Sequence, residues 1–117
     1  MYPQSQTVTI TTGVSSGAGT GYTTPINGRI LSIRYIKDSY TGTPSLDVTL
    51  ETSSAAVLSV ASMASSASWR PRSLVQKDTD GTDLSTYEPT YCAGERVKLA
   101  VASAGNSKTG TFIVVFG

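Results

Sequence analysis

The chain has no histidine. That removes the commonest general base, the usual zinc ligand and the partner that activates a catalytic serine. It has one cysteine, Cys92, so no disulfide can close within it. A lone cysteine without a histidine reads as a small buried apolar residue. Charge is scarce: 15% of residues are charged, nine basic against eight acidic, for a net charge of +1. Proteins that bind nucleic acid or membrane surfaces concentrate basic charge, so neither partner is expected. No apolar run approaches the roughly 20 residues of a membrane span. No basic segment followed by an apolar one opens the chain, so no secretory signal is read and a soluble protein made in a cytosol is expected.

What is present is hydroxyl. The 117 residues include 17 Ser and 17 Thr, which make a neutral, hydrogen-bonding surface. Threonine with Val, Ile and Tyr favours strands over helices. The length is that of one domain, 1–117, large enough to bury a core.

Residues 94–117 show the pattern best. Val97, Leu99 and Val101 alternate with Lys98, Ala100 and Ala102, the period of a half-buried strand. Gly105 and Asn106 tolerate positive φ, so a reversal is expected between Ser103 and Lys108. Phe112, Val114 and Phe116 then form one apolar face, and Ile113 and Val115 another. A strand apolar on both sides is usually covered on both. Ile113 and Val115 are therefore expected to pack under a neighbouring strand or a sister subunit.

Residues 1–6 read as an extended arm carrying Tyr2 and Pro3, and residues 7–12 as a strand with Val8 and Ile10 inward. Residues 13–21 read as a glycine-rich flexible loop. A phosphate loop needs a following Gly-Lys-Ser/Thr and helix, and Tyr22-Thr23-Thr24-Pro25 supplies neither. Asn27-Gly28 signals a turn into a strand over 29–37, with Leu31, Ile33 and Tyr35 on one face and Ile30, Ser32, Arg34 and Ile36 on the other. After a loop at 38–44, Leu46, Val48 and Leu50 alternate with Asp47, Thr49 and Glu51, and Ser53-Ser54 turns this run into a hairpin with 55–61. Residues 62–68 read as loop, with one helical turn as the alternative, 73–77 as a short strand, 78–83 as a polar turn and 84–94 as a long ordered loop. Seven to eight short strands without a helix predict an all-β antiparallel β-sandwich, jelly-roll-like.

Sites of chemistry are few. Asp47 and Glu51 share a strand face, but it is the polar, solvated one, which argues against a glycosidase pair. Asp78-Thr79-Asp80-Gly81-Thr82-Asp83 has its glycine fourth and third aspartate sixth, so it departs from a calcium loop and reads as a turn. No catalytic residue, metal or cofactor is expected. Trp69, with Arg70 and Arg72 beside it, fits an interface anchor or a ring packed at the sandwich edge. Tyr22, near a loop, could stack on a sugar ring or make a subunit contact.

Several segments resemble a family of small tailed-phage virion proteins. They are Trp69-Arg70-Pro71-Arg72-Ser73-Leu74-Val75, Gly94-Glu95-Arg96-Val97-Lys98-Leu99-Ala100-Val101, Lys108-Thr109-Gly110-Thr111-Phe112 and Gly28-Arg29-Ile30-Leu31-Ser32-Ile33-Arg34-Tyr35. The resemblance covers about half of the chain in the family's order, and some similar proteins are capsid decoration (cement) proteins. It implies a non-enzymatic virion protein, made in the host cytoplasm, that sits on the capsid surface and bridges subunits of the major capsid protein. A homotrimer would suit a threefold shell position and gain avidity. Interface candidates are Tyr2, Pro3, Tyr22, Trp69, Arg70, Arg72, Ile113 and Val115. The alternatives are a tail, neck or fibre-associated β-domain, or a carbohydrate-binding module.

Overall fold

In the computed structural model, residues 3–63, 65–71, 73–74, 87–88 and 90–117 are described. Strands β1 (Gln4–Thr11), β11 (Thr109–Phe116), β3 (Ile26–Ile36) and β6 (Ala67–Trp69) form the first sheet in that order, with β9 (Tyr91–Glu95) also paired to β3. The second sheet runs β2 (Gly19–Tyr22), β10 (Val97–Ala102), β4 (Ser45–Leu50), β5 (Ala56–Val60). A two-stranded piece joins β7 (Ser73–Leu74) to β8 (Tyr87–Glu88). Every pairing is antiparallel. The fold is the expected all-β sandwich, with nine strands in its two sheets and β7 and β8 apart from them, among the described residues, rather than seven or eight in all.

The core lies between the inward faces. From the first sheet come Val8, Ile10, Ile30, Ile33, Tyr35, Phe112, Val114 and Phe116, and from the second Leu46, Val48, Leu50, Val97, Leu99 and Val101. Each alternates with a partly or fully exposed residue, as along β11, where every second residue from Gly110 to Phe116 is buried and those between are half-buried. Period-two alternation is thus the cause of the layering. Burying a large aliphatic or aromatic side chain contributes about 1.5–3 kcal/mol, so this double layer is the main source of stability.

Four sequence readings change. First, the glycine-rich stretch is not all loop, because Gly19–Tyr22 pairs with Lys98–Val101 as β2. Second, Asn27-Gly28 lies inside β3, which starts at Ile26 and is paired there by β9. Third, β3 pairs Ser32 with Val115 but Ile30 with Phe116, a bulge that leaves Leu31 extra. Ile30, Ile33 and Tyr35 therefore face the core, and Leu31 is only half-buried. Strict alternation had grouped Leu31 with Ile33 and Tyr35, and Ile30 with the opposite face. Fourth, residues 62–68 and 84–94 are not loop throughout, since they carry all but the last residue of β6 and all of β8 together with most of β9.

The stretch between β10 and β11 does reverse the chain, but it also carries it from one sheet to the other. The positive φ values fall at Ser103 (59°), Gly105 (85°) and Ser107 (53°), not at Asn106. Thr12 anchors this crossing. Its hydroxyl donates to the Gly105 carbonyl at 2.6 Å and accepts from the Lys108 amide at 2.8 Å. Thr12 is 3% exposed, so these bonds satisfy a buried hydroxyl rather than compete with water.

The two sheets meet along β1 and β2. A Cβ on Gly21 would stand 2.6 Å from Val8 Cγ1 and 2.8 Å from Ile10 Cγ1. One on Gly19 would stand 2.9 Å from the Thr11 carbonyl oxygen. Only glycine lets the edges approach so closely. The Gln6 amide completes the junction, accepting from the Thr24 amide at 2.9 Å and donating to the Thr24 hydroxyl at 2.7 Å.

Candidate functional site

The outer face of the first sheet follows from its register. Ser5, Val115 and Ser32 form one row; Thr7, Ile113, Arg34 and Ser68 the next. Thr9, Thr111 and Ile36 form the third, and Thr11 with Thr109 the fourth, their hydroxyls 3.3 Å apart. Ile113 and Val115 sit half-buried along its middle, screened by their neighbours in the same sheet. Phe112, Val114 and Phe116 point the opposite way into the core. The result is a broad hydroxyl-lined surface with an apolar midline, Ile36 exposed and Arg34 its exposed cation. Arg34 and Ile36 belong to it although they were not among the interface candidates. Their signal was present in the outward phase of β3.

The other candidate lies where the chain passes from β9 into β10. Tyr22, 41% exposed, carries the Arg96 guanidinium 4.3 Å from its ring centroid. Arg96 also pairs with the Glu51 carboxylate. Next to it, Glu95 accepts hydrogen bonds from the Ser53 amide at 2.6 Å and the Ser53 hydroxyl at 3.1 Å. Arg96 was missed as a partner of Tyr22 because 74 residues separate them and only the pairing of β2 with β10 joins them. Glu51 lies past the end of β4, in the turn, and pairs with Arg96.

The remaining candidates scatter. Trp69 sits on the inward side of β6, opposite Ile33, and packs partly buried against the core. Arg70 and Pro3 are exposed. Tyr2 and Arg72 lie outside the described residues, as does the aspartate run 78–83. Of the described candidates, the structure brings Ile113 and Val115 together on one surface and places Tyr22 on the other sheet.

The buried titratable groups are held in their protonated forms. Tyr40 donates its hydroxyl to the Ile10 carbonyl at 2.8 Å, and burial pushes its pKa up from 10.0 to about 12. Burial likewise pushes the Cys92 thiol from 9.0 up to about 11, which leaves it a poor nucleophile near neutrality. Tyr35 stacks against Phe112 and Tyr40, with ring centroids 5.2 and 6.0 Å away. Among the described residues there is no cleft, and no three His, Cys, Asp or Glu side chains gather.

No known family profile and no curated protein matches the sequence. Among solved structures, the chain is similar to the C-terminal CBM6 of LamC, a marine laminarinase from Zobellia galactanivorans. The two share 10% identity over 97% of this chain and 100% of that one, with a TM-score of 0.47. It is also similar to FLHE, at 10% identity over 99% of this chain and 98% of that one, with a TM-score of 0.46. A chain of infectious bursal disease virus Gt strain, of which 32% is covered, matches 97% of this chain at 13% identity and a TM-score of 0.32. At such scores none of these likenesses carries an argument. The β-sandwich rests on the strand pairing itself.

Proposed function

We propose that this chain is a non-enzymatic structural protein that works by laying a sheet face on a protein shell, as a phage capsid decoration protein does. The observation that carries the reading is the outer face of the first sheet. It is wide, Arg34 is the one charge in its rows, its polar groups are mostly hydroxyls, and Ile113 and Val115 give it an apolar midline. Such a surface suits docking over area, with a partly dehydrated centre and a hydrogen-bonding rim. In this reading the partner is the major capsid protein, which is what the resemblance of four segments to small tailed-phage virion proteins implies. Many weak copies around a shell would add through avidity.

The test is sedimentation of the purified protein with expanded, DNA-free capsids. Saturable binding is expected, with at least a tenfold loss in Thr7→Lys/Ile113→Lys. Absence of binding to any capsid, or labelling confined to the tail of intact virions, overturns the reading in favour of a tail, neck or fibre role.

A second reading has its own observation. Tyr22 is exposed beside Arg96 and Glu51, an aromatic ring with adjacent hydrogen-bonding groups, as a carbohydrate-binding module requires. Binding on a glycan array that disappears in Tyr22→Ala, with no capsid binding, would establish it instead. Trp69, partly buried on β6 of the other sheet, does not belong to the same patch as Tyr22.

A further inference from the structure

The two outer faces of the sandwich treat charge differently. On the second sheet and its turns, acids and cations occur together and find partners within the chain. Arg96 pairs with Glu51, and Asp47 on β4 accepts a hydrogen bond from the Ser59 hydroxyl at 2.8 Å. Glu95 accepts from Ser53. On the first sheet, the rows of the outer face hold no acidic residue. The carboxylate next along β3, Asp38, stands in the loop beyond the strand's end.

The side chains of this face are sorted by strand. β1 contributes hydroxyls, β11 the apolar Ile113 and Val115, and β3 the cation Arg34. Beyond these rows, Arg29 of β3 stands opposite the exposed Tyr91 of β9 and donates its Nε–H to the Gly117 carbonyl at 3.4 Å. Arg34 is exposed and lies directly across from Ile113. It makes no side-chain hydrogen bond or ion pair among the described residues.

This juxtaposition selects what can cover the face. In water an exposed guanidinium is satisfied by solvent. A partner that buries Ile113 also covers its cross-strand neighbour Arg34 and strips that water away. A neutral apolar surface would then leave a charge and its donors unpaired, and a cationic one would add repulsion. A carboxylate answers both needs, because its two oxygens accept from the planar guanidinium side by side. A nucleic acid would instead call for a run of cations along its backbone, which these rows lack.

We infer that the outer face of the first sheet takes an acidic protein surface, in which an aspartate or glutamate meets Arg34 and adjoining apolar groups lie on Ile113 and Val115. The inference rests on the docking role proposed above and specifies the chemistry of the partner's contact.

The experiment is sedimentation with expanded, DNA-free capsids at low and at high salt. It compares the unaltered chain, Arg34→Gln, Arg34→Glu and the control Lys98→Glu, which makes the same charge reversal on the second sheet. The unaltered chain and the control are expected to bind alike at low salt. Arg34→Gln should bind several-fold more weakly and Arg34→Glu at least tenfold more weakly, with unchanged circular dichroism spectra. High salt should weaken the unaltered chain more than Arg34→Gln, since screening acts on the ion pair that glutamine has already removed. An Arg34→Glu variant that binds as tightly as the control overturns this inference and leaves the docking role standing. So does an equal salt response of the unaltered chain and Arg34→Gln, which is the deciding result if Arg34→Glu fails to fold. Absence of capsid binding by the unaltered chain overturns both. Retention on duplex DNA that Arg34→Glu abolishes, without capsid binding, would replace the acidic protein surface by a nucleic acid.

Discussion

Along one long side of the sandwich, β1 and β2 stand edge to edge, with Val8 and Ile10 filling the space that side chains on Gly19 and Gly21 would need. Along the other, β5 and β6 end with Leu58, Val60 and Trp69 only partly covered. The first side sacrifices side-chain volume on β2 so that the two sheets come into direct contact. The second keeps large side chains and leaves their burial unfinished. A close approach of backbones tolerates no added atom, whereas an open edge tolerates truncation and invites addition.

Mutations on the two sides separate these behaviours. Gly21→Val should have the largest effect. Its added atoms meet Val8 and Ile10 within a closed seam, and overpacking of this kind costs about 1–3 kcal/mol and occasionally more. Urea denaturation of the variant should place it at or above the top of that span. Leu58→Ala should come next, at about 1–2 kcal/mol in the single chain, less than the roughly 2–5 kcal/mol of an enclosed leucine. If the two variants lose equal stability, the contrast between sealed and open sides fails. Gln6→Ala removes two hydrogen bonds of the seam and should cost about 1 kcal/mol by thermal melting, since such bonds are worth about 0.5–1.5 kcal/mol each and these are exposed.

How far the sequence foretold these sides depends on what each is made of. The β4–β5 hairpin was legible because Leu46, Val48 and Leu50 alternate cleanly with polar residues, and Ser54 takes the turn at φ 58°. The two faces of β11 were legible from strand period alone, since Phe112, Val114 and Phe116 fall on one side and Ile113 and Val115 on the other. The β2 strand was hidden because its glycines read locally as loop. Their real cause is the partner sheet, which lies elsewhere in the chain. The reversed positions of Ile30 and Leu31 were hidden because a bulge leaves no mark on a hydrophobic pattern. Of the docking face, Ile113 and Val115 were visible in advance. Their threonine neighbours on β1 became neighbours only through the register of β1 on β11.

Two smaller effects sharpen the picture. The protein should lose stability as pH rises from about 9 towards 12. Tyr40 and Cys92 have their folded pKa values raised to about 12 and about 11, so the folded state holds protons that the unfolded chain releases. Their contribution is complete below the ordinary value of each group and is lost as pH rises through the folded one. Melting temperatures across this range, with Cys92→Ala and Tyr40→Phe removing one group each, check the sign. Arg96→Ala should cost least, about 0.2–1 kcal/mol, because its partners Glu51 and Tyr22 are themselves partly exposed. Most of that loss should vanish in high salt.

Backbone amide exchange, followed residue by residue over a range of protein concentrations, tests the asymmetry most directly. The amides of β10, paired on both sides by β2 and β4, should be protected at every concentration. Those of Ala56–Val60 that point away from β4 should exchange much faster, because among the described residues no strand pairs with that edge. Protection of those β5 amides equal to that of β10 would show the edge covered and would contradict the account.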